Sequence, residues 1–320
     1  MAPQTYLTLA DIEAARERIA PYVRRTPVLR SDMLDEAAGA QLFFKCENLQ
    51  EIGAFKARGA TNAVFALSDA EAAHGVATHS SGNHGSAVAL AAKRRGLTAY
   101  IVMPEGVAAP KAAQVARLGG RISYCAPTAE AREALTAQII AETGATLVHP
   151  YDNRMVMAGQ GTVALELMED APDLDVVMTP IGGGGLMSGV STAVKALRPG
   201  AQVIGVEPAG ADDAARSFAA GRLVLPDAVN TIADGLRAPL SEDTLAHILR
   251  NVDQVVTVSE AAIVAAMRPL WEALRVVVEP SGAVAYAAIR DGVVDVRGKR
   301  VGIVLTGGNV DLDKLPWVKA

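Results

Sequence analysis

The chain has 320 residues, of which 50% are hydrophobic and 20% charged, with 29 glycines and 16 prolines. At roughly 150 residues per domain this length predicts about two domains whose cores need no disulfide or metal staples, and the composition excludes a disordered, collagenous or coiled-coil chain. Thirty basic residues against thirty-five acidic ones give a net charge of −5, and the densest basic run is Lys93-Arg94-Arg95; this excludes the footprint of a nucleic-acid or anionic-membrane binder and leaves a small molecule as the expected partner.

The N-terminal MAPQTYLTLADIEAARERIA has no basic segment leading into an apolar one, and no apolar run nears the roughly 18 residues of a membrane span, so neither signal peptide nor membrane is expected and the protein is read as cytoplasmic. Thr8 and Asp11 ahead of Ile12, Ala15 and Ile19 predict a capped first helix. From residue 42 the pattern changes. LFFKC, GVATHS, AYIVM, RISYC and TLVH, then DVVMTP, QVIGVEP, QVVTVS and RVGIVLTGG, are short β-branched or aromatic runs separated mostly by Ala-rich helical stretches. This βαβα alternation predicts an α/β chain of about nine strands in parallel-rich sheets flanked by helices, divided between two sheets. Residues 68–150 hold four strand and helix units and form the expected smaller domain. Cys46 and Cys125 both lie in apolar strand-like runs, with neither a disulfide framework nor a zinc spacing. Ligands of such sheets sit beyond the C-terminal strand ends, so chemistry is expected just after strands.

Four segments there can carry chemistry. In GAFKARGA, Lys56 starts a helix; the dipole and partial burial favour an uncharged, nucleophilic amine, while a solvated surface lysine is the plainer alternative. In SSGNHG, Ser80, Ser81, Gly82, Asn83 and His84 follow a strand and open a helix, where they either cap it or receive a carboxylate or phosphate. Gly182, Gly183, Gly184 and Gly185 stand between a strand and a helix and present several N–H groups as an anion nest. That loop is not a Walker loop, but with Ser188 and Glu207 it departs from the dinucleotide fingerprint at one position only, so a nicotinamide cofactor stays open on this segment alone. Thr306, in VLTGGN, puts a hydroxyl at a strand end, or marks a simple strand-to-turn junction.

In this order KCENLQEIGAFKARGA, SSGNHGSA, AGQGT, GGGGLMSG, GVEPAGADD, TIADG, VVEPSGA and TGGNVD resemble the fold-type II pyridoxal phosphate (PLP) enzymes, and among them the serine/threonine dehydratase and serine racemase group with its 3-hydroxyaspartate dehydratase branch. The resemblance covers about residues 5 to 315 and resolves the cofactor in favour of PLP. It implies a tryptophan synthase β-like fold, with residues 1–67 and 151–320 as a large cofactor-binding domain, residues 68–150 as a small mobile one, and a homodimer. It makes Lys56 the covalent cofactor lysine and the base at the substrate Cα. Phe55 then packs near the ring, Asn83 meets the ring hydroxyl, Gly182 to Gly185 hold the phosphate and Thr306 faces the pyridine nitrogen. A neutral hydroxyl there makes a weaker electron sink than a carboxylate would, which suits prompt loss of a β-hydroxyl better than transamination.

The same resemblance gives Ser80 to His84 the substrate carboxylate and makes Ser81 the acid/base of the opposite face, which keeps racemisation in view. Arg132 and Arg237 match basic positions able to receive a second carboxylate, so 3-hydroxyaspartate is the leading substrate, ahead of serine and threonine. Glu207 and Asp213, with the carbonyl of Ala211, match a divalent-cation site for Mg²⁺, Ca²⁺ or Mn²⁺; by spacing alone the two carboxylates read as surface charges. Ala54, Tyr151 and Ala238 depart from common racemase residues. The chain ends soon after TGGNVD, so no regulatory domain is expected. Outside the enzymes, a non-catalytic small-molecule binder on the same fold is the contrasting reading.

Overall fold

The computed structural model describes residues 5–80, 82–107, 109–226 and 228–317. The nine anticipated strands are all present, with one more. They are β1 (Val28–Leu29), β2 (Gln41–Cys46), β3 (Val76–His79), β4 (Ala99–Pro104), β5 (Arg121–Cys125), β6 (Thr146–Leu147), β7 (Val176–Pro180), β8 (Gln202–Pro208), β9 (Gln254–Val258) and β10 (Arg300–Leu305). The added strand, β1, is two residues set between Pro27 and Arg30, with no longer apolar run to mark it, and pairs antiparallel with β2. All other pairings are parallel.

Two sheets form, as the strand count required. The larger runs β1-β2-β10-β7-β8-β9 and the smaller β5-β4-β3-β6. In the larger sheet the apolar runs are buried on both faces, and alternation sends neighbours opposite ways. Phe44, Met178 and Ile303 pack under the helices Glu260–Leu274 and Pro280–Arg290, whereas Phe43, Val177 and Val304 pack under Arg154–Asp170 and Gly185–Leu197. The small sheet has its own core around Val76, Val88, Ile101 and Met103, which also takes Ala60, Val64 and Val156 from outside residues 68–150. The first helix, Leu9–Ile19, begins as expected with Thr8 and Asp11 in a reciprocal capping box. No helix among the described residues is long and apolar enough to cross a membrane.

Helix Arg154–Asp170, which contains the AGQGT motif, fixes the relative placement of two site segments. On one side a side chain at Gly159 would stand 2.6 Å from Cα of Gly59, and on the other one at Gly189 would stand 2.2 Å from the Met157 carbonyl. The helices beginning at Lys56 and at Gly185 therefore touch this central helix backbone to backbone. Gln160 Oε1 adds a hydrogen bond from Gly59 N (3.2 Å).

Candidate active site

After β2 the chain makes two tight turns and enters helix Lys56–Ala66 with Lys56 as its first residue. Ile52 (φ 57°) holds a left-handed backbone just before it, a conformation that costs a β-branched residue about 1–3 kcal/mol and persists only where surroundings enforce it. Those surroundings are visible. Ile52 O accepts from Asn309 Nδ2 (2.8 Å), Phe55 N donates to Thr306 O (3.0 Å), and Ala54 bridges Gly307, so the segment is stitched to the end of β10. Lys56 Nζ donates to Pro150 O (2.8 Å) and lies 5.2 Å from the centre of the Phe55 ring. Burial lowers its pKa from 10.5 to about 8.

Around this amine stand three imidazoles, with Arg132, Glu133 and Asp152 beyond them. His84 is buried, with Nε2 on Val148 O (3.1 Å) and Nδ1 without a partner; burial, then the charge of Lys56, holds it well below the usual imidazole range. His149 is brought down to about 4 by burial and by His79. Its Nδ1 accepts from Asp152 N (2.9 Å), which requires that nitrogen unprotonated. His79, whose ring is 5.4 Å from that of His149, is lowered by burial and by Arg132. Arg132 lies in helix Ala129–Thr143, donates to Thr128 O (3.3 Å), and its charge reaches both His79 and Tyr151. Ser80 Oγ accepts from Gly82 N (3.2 Å) at the start of helix Asn83–Arg95. Ser81 lies outside the described residues.

The glycine loop follows β7. Gly184 is left-handed (φ 87°), and a side chain on Gly183 would stand 2.3 Å from the Tyr151 ring, so the loop remains open backbone closing into helix Gly185–Leu197. Ser188, the position that broke the dinucleotide pattern, is buried with Oγ donating to Gly184 O (2.9 Å). Tyr151 packs against the loop, and burial pushes its hydroxyl up to about 12.

At the end of β10, Thr306 is buried and its carbonyl holds Phe55. Beyond it, Asn309 Nδ2 donates to Asn83 Oδ1 (2.8 Å), and Asn83 Nδ2 donates to Glu279 Oε1 (2.9 Å). Glu279 is buried, one of its oxygens has no partner, and burial followed by Asp234 raises it to about 7. Lys111, from helix Ala109–Arg117, pairs with Asp234 of the TIADG loop and so links the small-sheet segment to the large-sheet one.

The expected cation ligands also converge. Glu207, at the end of β8, accepts from Ala214 N (3.2 Å) and Ala215 N (3.0 Å), and Asp213 Oδ2 accepts from Leu240 N (3.2 Å). Both are buried, as is Ala211. Burial and then Asp213 push Glu207 up to about 9, and burial pushes Asp213 to about 6. Among the described residues no set of three His, Cys, Asp or Glu side chains gathers here or elsewhere. Arg237 is less committed to the cleft. It is exposed, and its Nε (3.2 Å) and Nη2 (2.7 Å) both donate to Thr231 O, a local turn that spacing could not reveal.

Sequence reasoning assigned no role to Glu279, Asn309, His79, His149 or the Lys111–Asp234 pair. One signal was available. Glu279 precedes Pro280 at a helix start, where Glu is a poor N-cap, and it makes no capping bond.

The family model described as pyridoxal-phosphate dependent enzyme matches residues 19–307. A beta-hydroxyaspartate dehydratase of Paracoccus denitrificans is 53% identical over 97% of this chain and 98% of its own, and an L-threo-3-hydroxyaspartate ammonia-lyase of Saccharomyces cerevisiae is 46% identical over 96% and 94%. The structure of maize serine racemase superposes with a TM-score of 0.94 at 47% identity, covering 97% of this chain and 95% of that one. The chain belongs to the pyridoxal-phosphate dependent enzymes of fold type II.

Proposed function

We propose that the protein is a PLP-dependent ammonia-lyase that removes water from a β-hydroxy amino acid to give a keto acid and ammonia, with 3-hydroxyaspartate as leading substrate and serine and threonine as further ones. The observation that carries this reading is the surroundings of Lys56. From its amine, through His84, His149 and His79 to Arg132, each group senses the next, and burial holds the imidazoles neutral. Lys56 and Arg132 are the cations along this line, with Glu133 bearing on His79 beside Arg132, and Arg132 is the group available for a second carboxylate.

The residues fit the cofactor: a lysine whose amine is easily deprotonated, and a glycine loop where Tyr151 leaves no space for a side chain. Lys56 would bond it, Gly182 to Gly185 hold its phosphate, Thr306 face its pyridine nitrogen, Asn83 meet its ring hydroxyl and Phe55 lie near its ring. Bound there, PLP supplies an electron-withdrawing ring that stabilises negative charge at the substrate Cα. With a pKa of about 8, Lys56 is about one-tenth free base at pH 7, and its Nζ takes the Cα proton. The Ser80 to His84 loop binds and orients the α-carboxylate, so that the Cα–H bond stands towards Lys56. Loss of the β-hydroxyl as water leaves a product that hydrolyses to keto acid and ammonia.

Residues 1–67 and 151–320 form the cofactor domain in this reading, and residues 68–150 a small domain that closes on substrate, with Lys111–Asp234 across the junction. Glu207, Asp213 and the Ala211 carbonyl hold a divalent cation, Mg²⁺ ahead of Ca²⁺ or Mn²⁺. Two buried carboxylates, both raised by burial and Glu207 further by Asp213, support this, since a hard cation would relieve both. The working unit is a cytoplasmic homodimer.

The test is ammonia release, with PLP and Mg²⁺, from L-serine, D-serine, L-threonine and the threo and erythro isomers of 3-hydroxyaspartate. Preference for one 3-hydroxyaspartate isomer is expected; dominance of serine or threonine overturns the dicarboxylate assignment. A serine racemase among the close structures favours racemisation as a second activity. If Ser81 supplies the second face, Ser81→Ala abolishes racemisation and spares elimination from the L-enantiomer, whereas equal loss of both contradicts that division.

A further inference from the structure

We propose that Glu279 is a positioning residue: together with Asn309 it locks the Asn83 amide so that an N–H, and not the amide oxygen, is offered to the ring hydroxyl of the cofactor. The inference rests on the reading that Asn83 meets that hydroxyl.

The argument is one of hydrogen-bond polarity. An asparagine amide can be turned over with little change in shape, so its orientation must be read from partners whose roles are fixed. The Ile52 carbonyl can only accept, and it accepts from Asn309 Nδ2 (2.8 Å). The nitrogen end of Asn309 is thereby identified, and the same Nδ2 donates to Asn83 Oδ1 (2.8 Å). With its oxygen engaged there, Asn83 has its nitrogen end at Glu279 Oε1 (2.9 Å). One Nδ2 hydrogen goes to Glu279 and the other is left for a ligand. The chain Ile52, Asn309, Asn83, Glu279 runs in one direction only.

Glu279 is held for this task. It stands at the N-cap of helix Pro280–Arg290 yet makes no capping bond, and its backbone N–H goes to Gly307 O (2.9 Å). A side chain at Gly307 would stand 2.2 Å from Oε1, so the glycine keeps the carboxyl's place clear. Oε2 is buried without a partner and can carry a proton while Oε1 goes on accepting. Asp234 and Lys111, the charged groups that bear on it, act in opposite directions. The orientation of Asn83 therefore survives titration of Glu279.

An N–H donor stabilises the ionised ring oxygen, whereas an amide oxygen in its place favours the protonated one. Absorption of the bound cofactor reports the difference. The experiment uses wild-type holoenzyme with Lys56→Ala, Glu279→Gln, Glu279→Leu and Asn309→Ala, reading the spectrum and the dissociation constant for PLP. Glu279→Gln keeps an acceptor and should keep the visible band. Glu279→Leu should move absorption to the near ultraviolet and weaken PLP binding about tenfold, the equivalent of ~1.4 kcal/mol. Should Glu279→Leu fail to fold, Asn309→Ala, which frees the amide from its other end, must shift the band the same way. Wild-type spectra in Glu279→Leu or Asn309→Ala overturn this inference alone, as does a Glu279→Gln that behaves like Glu279→Leu. A wild-type protein without a Lys56-dependent visible band overturns the site reading and the inference with it.

Discussion

Two sets of buried charged side chains are built in opposite ways. In the first Arg58 makes a two-pronged pair with Glu47 (2.8 and 2.8 Å) and another with Glu166 (2.7 and 2.7 Å), and Lys45 joins Glu166 (2.6 Å) and the Thr26 carbonyl (2.6 Å). Burial works against both Arg58 and Glu166, yet their partners prevail, raising the first and lowering the second. In the second Lys56, Glu279 and Glu207 are all shifted towards their neutral forms, and His84 Nδ1 and Glu279 Oε2 have no partner. The first set is paired in full and anchors the helix; the second is paired only in part. Buried charges paired in full mark structure, and buried charges under-paired in a cleft mark chemistry.

This contrast can be broken from either side. Replacing Lys56 by Ala should lower turnover by about 10³-fold or more, since it removes the general base, while leaving the melting temperature unchanged or raised. A large loss of stability would place Lys56 with the anchoring set. Arg58→Leu should do the reverse and cost about 3–5 kcal/mol in urea unfolding, because Glu47 and Glu166 would remain buried without their cation; a loss under about 1 kcal/mol would contradict the anchoring role.

Mg²⁺ or Ca²⁺ at about 100 times its dissociation constant should stabilise the protein by ~2.7 kcal/mol, and Glu207→Gln should lose that response in a thermal shift measured with and without chelator. In cofactor-free protein, Lys56 sheds its proton from about 8 upwards, whereas in the unfolded chain it does so near its ordinary 10.5. Between those values the unfolded state binds more protons, so the contribution of Lys56 to stability rises with pH. The stability gap between Lys56→Met and wild type should therefore narrow from about pH 7.5 to about pH 9.5; a gap that widens would contradict the depressed pKa.

Much of the scaffold is legible in the sequence, because strand alternation and Ala-rich helical stretches are local patterns. Nine strands and two sheets follow from them; β1 escapes because Val28 and Leu29 stand between Pro27 and Arg30 rather than in a longer apolar run such as the TLVH that holds the equally short β6. Lys56, the glycine loop and the Glu207–Asp213 pair stand out through their place after strands and through family motifs. The Glu279–Asn83–Asn309 chain is not, since its bonds join residues 196 and 226 positions apart. Only the closing of β10 beside the Lys56 segment makes them neighbours. Nor is the fold of the Arg237 guanidinium onto Thr231 O legible from its position in the sequence.

The central claim is that the line of groups from Lys56 to Arg132 reads a second carboxylate. The measurement that tests it most directly is the ratio of kcat/KM for 3-hydroxyaspartate over serine, compared between wild type and Arg132→Met. The account predicts a wild-type ratio well above one for one isomer, and a fall of roughly 10- to 100-fold in the variant, the size expected from losing charge-assisted hydrogen bonds, with serine turnover preserved. A ratio unchanged by the substitution, or one that favours serine in the wild type, would contradict it.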